Sequence, residues 1–312
     1  MKPKSLIKFA LSAAMIWLVI SSVNSDTLKH TFQSIPATSV ILIVLGYSLG
    51  QLMSSFKWWT IVRAGGIDAP YSTALKAYFI GMFVNCFGLG MVGGDVARGV
   101  LVSQGLPKKA EGITSVVADR IHGLTVLSII ALLTSIAIGN DRVPSHLLWL
   151  LLLLTLGFIV AWIAVPYVLK NIPFLKRSKL GHKLSDLERV FPHNPRTLAV
   201  ITVISAIFHA TQILLHVLIA QAVGVAIPLS TLFVVIPFVN IASSLPISWN
   251  GLGVRENSYI FFLTAAPALV SNEQAFAFGT LWIVAVTVTS AIGGLIAIST
   301  GDLKLLKSGA IT

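Results

Sequence analysis

The stretch from Phe87 to Arg98, FGLGMVGGDVAR, constrains this chain more than any other. It follows an apolar run, Tyr78 to Phe87, that is too short to cross a bilayer alone. Its glycines and Asp95 argue against an ordinary lipid-facing helix, because irregular backbone at membrane depth survives only inside protein or beside a water-filled cavity. Asp95 and Arg98 are costly at such a depth and by default point to a function.

The stretch has an echo. Gly66, Pro70, Ser72 and Thr73 lead to Phe83-Val84-Asn85 and then to Arg98. Gly224, Pro228, Ser230 and Thr231 lead to Phe238-Val239-Asn240 and then to Arg255. The second copy lies roughly 157 residues after the first. Gly/Pro-interrupted apolar segments at matching places in two halves are a pointer to a transporter's binding site.

Composition supports a membrane location. Of 312 residues, 55% are hydrophobic and 11% charged, and the mean hydropathy is +0.88. These values exclude a soluble globular protein. The net charge of +11 sits in short loops between apolar spans, which argues for orientation and headgroup attraction and against nucleic acid. The single cysteine, Cys86, forbids an internal disulfide or a Cys-rich metal site, and no cofactor is expected.

The expected fold is an all-α polytopic membrane protein, with about six full spans plus two Gly/Pro-broken re-entrant elements in an inverted-repeat-like arrangement. The 312 residues form one integral membrane domain, with a first repeat over 37–169, a basic cytoplasmic connector over 170–197 and a second repeat over 198–300. Leu6 to Val23 reads as an uncleaved first helix behind Lys2, Lys4 and Lys8, so the N-terminus is placed in the cytoplasm. A second span runs from Ala37 to Phe56, followed by an interfacial anchor of Lys57, Trp58, Trp59 and Arg63. The first broken element covers Tyr71 to Arg98. Spans follow from Gly112 to Ile138, with a turn at Asn140-Asp141, and from Leu147 to Leu169. After the basic loop, in which Leu184, Leu187 and Val190 recur at helical spacing, a span covers Leu198 to Ala222. The second broken element runs from Pro228 to Glu256, then a short apolar piece from Ser258 to Leu269 and a last span from Phe276 to Ser299. Lys304 and Lys307 place the C-terminus inside, whereas a strict inverted copy places it outside; both readings stay open.

Three constellations carry candidate chemistry. Gly93 and Gly94 let the backbone turn and cradle an anion; a helix restarting at Asp95 adds its N-terminal dipole; and Arg98 holds a phosphate bidentately. In the competing structural reading, Asp95 caps the helix and pairs with Arg98 one turn later. Asp119 and Arg120 are neighbours on a helix and need different partners: Arg98 or Arg255 for Asp119, a headgroup or Asp95 for Arg120. Alternatively the helix begins at the interface with both groups in water. Asn250, Arg255 and Glu256, in the stretch NGLGVRE, repeat the first logic of flexible backbone and then a cation beside an acid. Asn85 and Asn240 complete the candidate set. His209 and His216, seven apart, read as packing histidines ahead of a proton relay, whereas His122 lies one turn from Asp119. Gly293-Gly294 reads as a close helix contact.

The motifs GGDVAR (93–98), ADR (118–120) and PISWNGLGVRE (246–256) resemble the flippase-like membrane family typified by the transmembrane region of lysylphosphatidylglycerol synthase. That family usually has Pro-Gly-Gly before Leu-Gly-x-Arg-Glu; here Trp249, Asn250 and Gly251 stand instead. The resemblance implies a bacterial-type inner-membrane protein that moves a polar-headed lipid between leaflets. No stretch of this sequence resembles the soluble aminoacyl-transfer domain, so lipid aminoacylation is not implied.

The functional expectation is therefore a lipid translocator, not an enzyme, whose two notches meet inside the bilayer and hold an anionic or phosphate-bearing headgroup. Asp95, Asp119 and Glu256 are the candidate proton carriers, and no phosphate-binding loop motif is present. The alternatives are an intramembrane lipid-linked glycosyltransferase, for which only Asp26 stands in the first outer loop, and a non-transporting partner of a lipid-modifying enzyme. A zinc protease is disfavoured, because His-Glu-x-x-His is missing.

Overall fold

Proline and glycine punctuate the apolar sequence into helices of two lengths. The structure is a computed structural model that describes residues 23–88, 90–138, 145–171, 187–244, 251–264 and 270–302, with Trp17 and Ser21. Among the described residues there are ten helices and no strand: α1 (Ser25–Ser34), α2 (Ala37–Ala64), α3 (Tyr71–Phe87), α4 (Gly90–Val102), α5 (Lys109–Ile138), α6 (Ser145–Asn171), α7 (Pro195–Ala222), α8 (Leu229–Ser244), α9 (Val254–Thr264) and α10 (Asn272–Ser299). Five of them, α2, α5, α6, α7 and α10, are long and apolar enough to cross a membrane. Large apolar side chains on α6, such as Trp149, Leu153, Leu156, Val160 and Ile163, are exposed, as lipid-facing positions require. Most of the expected first helix, the turn at Asn140-Asp141, most of the basic connector, residues 265–269 and the terminal lysines lie outside the described residues.

Local chemistry explains the boundaries. Helix α2 does not stop at Phe56 but continues to Ala64, where Gly66 at φ 79° closes it. The Ile67 amide donates to Val62 O (3.2 Å) and the Gly66 amide to Arg63 O (3.0 Å). Helix α7 ends identically: Gly224 has φ 74°, Val225 donates to Ala220 O (2.9 Å) and Gly224 to Gln221 O (3.1 Å). Both are Schellman turns, in which a left-handed glycine lets two amides satisfy the last carbonyls. Pro70 and Pro228 then precede the short helices α3 and α8. The sequence echo is thus an echo of backbone geometry. Helix α7 starts at an Asn194–Pro195 cap, with Asn194 Oδ1 accepting from the Arg196 amide at 2.9 Å. Helix α10 starts four residues before the expected Phe276 because Ser271 and Gln274 form a capping box: the Gln274 amide reaches Ser271 Oγ (3.2 Å) and the Ser271 amide reaches Gln274 Oε1 (3.0 Å).

The chain divides into two compact units. The first comprises residues 51–209 and 290–312, and glycine sets its packing. A Cβ on Gly94 would lie 2.1 Å from Gly81 O, so α3 and α4 touch backbone to backbone. A Cβ on Gly112 would lie 2.0 Å from Gly99 O, which does the same for α4 and α5. A Cβ on Gly293 would lie 1.9 Å from Phe79 O. The Gly293-Gly294 contact is therefore the close helix packing expected of it. Around these crossings Trp58, Val62, Ala77, Ile80, Ala97 and Val116 form a buried core.

The second unit comprises residues 1–50 and 210–289. Its centre is aromatic. His216 stacks on Trp282 at 4.1 Å between ring centroids, Tyr47 meets Trp282 edge-on at 5.1 Å, and Tyr259 meets Phe278 at 5.1 Å. His216 Nδ1 lies 2.7 Å from Gln212 O and Nε2 lies 2.8 Å from the Tyr259 hydroxyl, so both ring nitrogens are satisfied.

Candidate functional site

Helices α3 and α4 form a hairpin whose break is at Gly88, where the Gly88 amide still bonds to Val84 O at 3.0 Å. The second helix starts at Gly90. This corrects two expectations. Asp95 neither starts nor caps a helix, and Gly93 and Gly94 are helical residues, not a turned anion cradle. The missing Cβ of Gly94 serves packing against Gly81 and Asn85. Asn85 is half-buried, and its Oδ1 has no hydrogen-bond partner among the described residues.

Because α4 and α5 approach so closely at Gly99 and Gly112, the charged residues near that crossing face each other. Asp119 Oδ2 accepts from Arg98 Nη2 at 3.1 Å, and its Oδ1 lies 2.9 Å from Lys57 Nζ. Asp95 Oδ1 lies 3.4 Å from Arg98 Nε, and Asp95 Oδ2 accepts from Arg120 Nε. The result is a chain of alternating sign, Lys57–Asp119–Arg98–Asp95–Arg120, drawn from α2, α4 and α5. The alternatives left open by the sequence resolve to Arg98 for Asp119 and Asp95 for Arg120. The interfacial start with both groups in water is excluded, because Asp119 is buried.

Arg98 is enclosed. Its guanidinium carbon sits 4.8 Å from the Trp58 ring centre and 5.1 Å from that of Tyr78. Desolvated stacking of this kind stabilises a cation by about 2 kcal/mol. The Tyr78 hydroxyl is held 3.1 Å from Gln51 Oε1 and 2.9 Å from Ser54 Oγ, while Trp58 Nε1 donates to Ser115 Oγ at 3.1 Å. Arg98, the residue expected to hold a phosphate bidentately, here serves two carboxylates and two rings.

Lys57, Trp58 and Tyr78 belong to this site and were not anticipated in it. Lys57 and Trp58 are buried within the protein, whereas Arg63 is exposed and pairs with Asp68. No local signal marked them: a lysine and a tryptophan late in a long apolar helix read alike whether protein or the membrane interface surrounds them. His122 bonds to Thr202 (3.1 Å) and His209 to Gly123 O (3.0 Å).

The second copy differs locally. Gly251 (φ 77°) and Gly253 (φ 81°) turn the backbone, and α9 begins at Val254. Glu256 is buried, and its Oε2 accepts from the Gly253 amide at 2.6 Å. The acid thus closes the helix start, as an N3 glutamate does. Arg255 is half-buried and has no carboxylate partner among the described residues. Asn240 is half-buried near the end of α8, and Asn250 lies outside the described residues.

A set of apolar helices of membrane-spanning length, enclosing a charge chain, defines a multi-pass α-helical membrane protein. The sequence model of the family described as lysylphosphatidylglycerol synthase transmembrane region matches residues 5–294. The chain belongs to that family. No curated protein matches it.

Proposed function

We propose that this protein is a lipid translocator that carries an anionic or phosphate-bearing lipid between the leaflets of a bacterial-type inner membrane. The observation that supports it most is the charge chain of the first unit. Three cations, Lys57, Arg98 and Arg120, face two carboxylates, Asp95 and Asp119, inside an apolar helix set. One positive charge is left over, which is the complement of a single headgroup anion. A buried ionisable group in a membrane helix is expensive to keep and by default serves a substrate or ion path.

The short helices support a second element of this reading. Helices α3 and α4, with 17 and 13 residues, reach about 25 and 20 Å, less than the roughly 30 Å hydrocarbon thickness. We take the pair as a re-entrant hairpin, and α8 with α9 as its inverted-repeat counterpart over the second half. In that counterpart Arg255, Glu256 and Asn240 form the second polar notch. The polar headgroup crosses while the acyl chains stay in lipid, no bond is made or broken, and a lipid-modifying enzyme is a natural neighbour. The N-terminus lies on the cytoplasmic side in this reading.

The test is leaflet exchange. The purified full chain in liposomes is expected to speed the exchange of a fluorescent phosphatidylglycerol, and Arg255→Ala to abolish the acceleration. Equal exchange in protein-free and protein-bearing liposomes overturns the proposal.

A further inference from the structure

The five members of the charge chain are not equally enclosed. Side-chain exposure is 7% for Lys57 and 8% for both Asp119 and Arg98, rising to 17% for Asp95 and 33% for Arg120. The chain therefore has a sealed end at Lys57 and an open end at Arg120. Asp95 is the last carboxylate before the opening and is shared between two arginines. One oxygen faces Arg98 Nε at 3.4 Å, and the other accepts from Arg120 Nε.

From this arrangement we infer that Asp95 is an internal competitor for the anion: an incoming phosphate oxygen takes Arg120 from Asp95, and Asp95 keeps its second arginine. This deepens the translocator reading, on which the lipid nature of the ligand rests. Arg120 donates to Asp95 through Nε, and once released its guanidinium offers a phosphate the forked geometry that arginine favours. Releasing Asp95 strands no charge, because Arg98 already touches it. Arg98 also has an Nη1 that lacks a hydrogen-bond partner among the described residues. The backbone under Asp95 does not move in this exchange. Gly94 is locked against Gly81, so only side chains change places. The latch keeps the open end neutral when empty and matches a monoanion when full. Arg98, Asp119 and Lys57 are positioning residues: they hold Asp95 and the hairpin, and do not meet the ligand.

The experiment uses the wild-type chain in phosphatidylcholine nanodiscs, with and without phosphatidylglycerol, labelled by phenylglyoxal and read by peptide mass spectrometry. Arg120 is expected to label in phosphatidylcholine and to be protected by phosphatidylglycerol, with Arg98 unlabelled in both. In parallel, native mass spectrometry counts bound phosphatidylglycerol on Asp95→Asn and Arg120→Gln. The first is expected to bind roughly fivefold more tightly, the weight of one half-exposed ion pair, and the second to lose its preference over phosphatidylcholine. Equal Arg120 labelling in the two lipids overturns the latch even if a variant fails to fold, and so does an Asp95→Asn chain that binds no more tightly. Protection by inorganic phosphate alone reassigns the ligand to a free anion and removes the lipid. Leaflet exchange without Arg120 protection sinks the latch and leaves translocation standing; protection without exchange does the reverse.

Discussion

Asp119 on α5 and Arg98 on α4 meet at 3.1 Å with both side chains buried, and Lys57 closes on the same carboxylate from α2. Three helices are tied at one acid. The attraction is strong because the surroundings are apolar, and for the same reason a partner lost is not replaced by solvent.

Removing that acid is the most damaging single change expected. Asp119→Ala leaves Lys57 and Arg98 buried without their carboxylate, at a cost of about 3–5 kcal/mol. Thermal melting of the detergent-solubilised chain measures it. Because the penalty is that of an unpaired charge, the double variant Lys57→Met with Asp119→Leu should be less destabilised than the sum of its single variants. Strict additivity would show that these groups are not coupled.

The glycine crossings separate steric from intrinsic effects. Gly112→Ala puts a carbon 2.0 Å from Gly99 O, backbone against backbone, so the helices must part. The expected loss is about 1–3 kcal/mol. Gly157→Ala on α6 meets nothing within 4 Å and should gain up to about 1 kcal/mol of helix propensity. Melting curves of the two variants should move in opposite directions.

In the second unit, Tyr259→Phe deletes the hydroxyl 2.8 Å from His216 Nε2 while keeping the ring. A buried nitrogen left without a partner costs about 1–3 kcal/mol. If His216 only packs, stability falls and the pH profile of leaflet exchange keeps its shape. A shifted profile would instead make His216 a participant in proton movement.

Metal chelation discriminates transport from catalysis. Among the described residues no three His, Cys, Asp or Glu side chains gather as a metal site. Leaflet exchange is expected to be unchanged by a chelator. Activity lost on chelation and restored by a divalent ion would favour the intramembrane glycosyltransferase.

Much of the fold was legible because its signals are local. The long spans follow from apolar length, and the repeated Gly-turn-Pro unit from residues within a few positions of one another. The helix ends were less legible. Phe56 looked like the end of α2 because Lys57 and the tryptophans resemble an interface, although Gly65-Gly66 held the true stop. Asp95 looked like a helix start because glycines usually break helices in water. Here Gly93 and Gly94 both stay helical, and Gly94 lies directly against Gly81 and Asn85 of α3. For the site, Asp95, Arg98, Asp119 and Arg120 were visible as costly charges in an apolar chain, whereas Lys57, Trp58 and Tyr78 were not. A buried lysine and an interfacial one differ only in what surrounds them.

From the sequence alone come a multi-pass helical membrane protein, its broken segments, its repeated motif and the short set of charges too expensive to be accidental. Periodicity, length and the transfer cost of charge all act within one helix. Which charge meets which was decided only in three dimensions. The absent side chains of Gly81, Gly94, Gly99 and Gly112 let α3, α4 and α5 approach at backbone distance, and that approach joins Asp95 to Arg120 and Asp119 to Arg98.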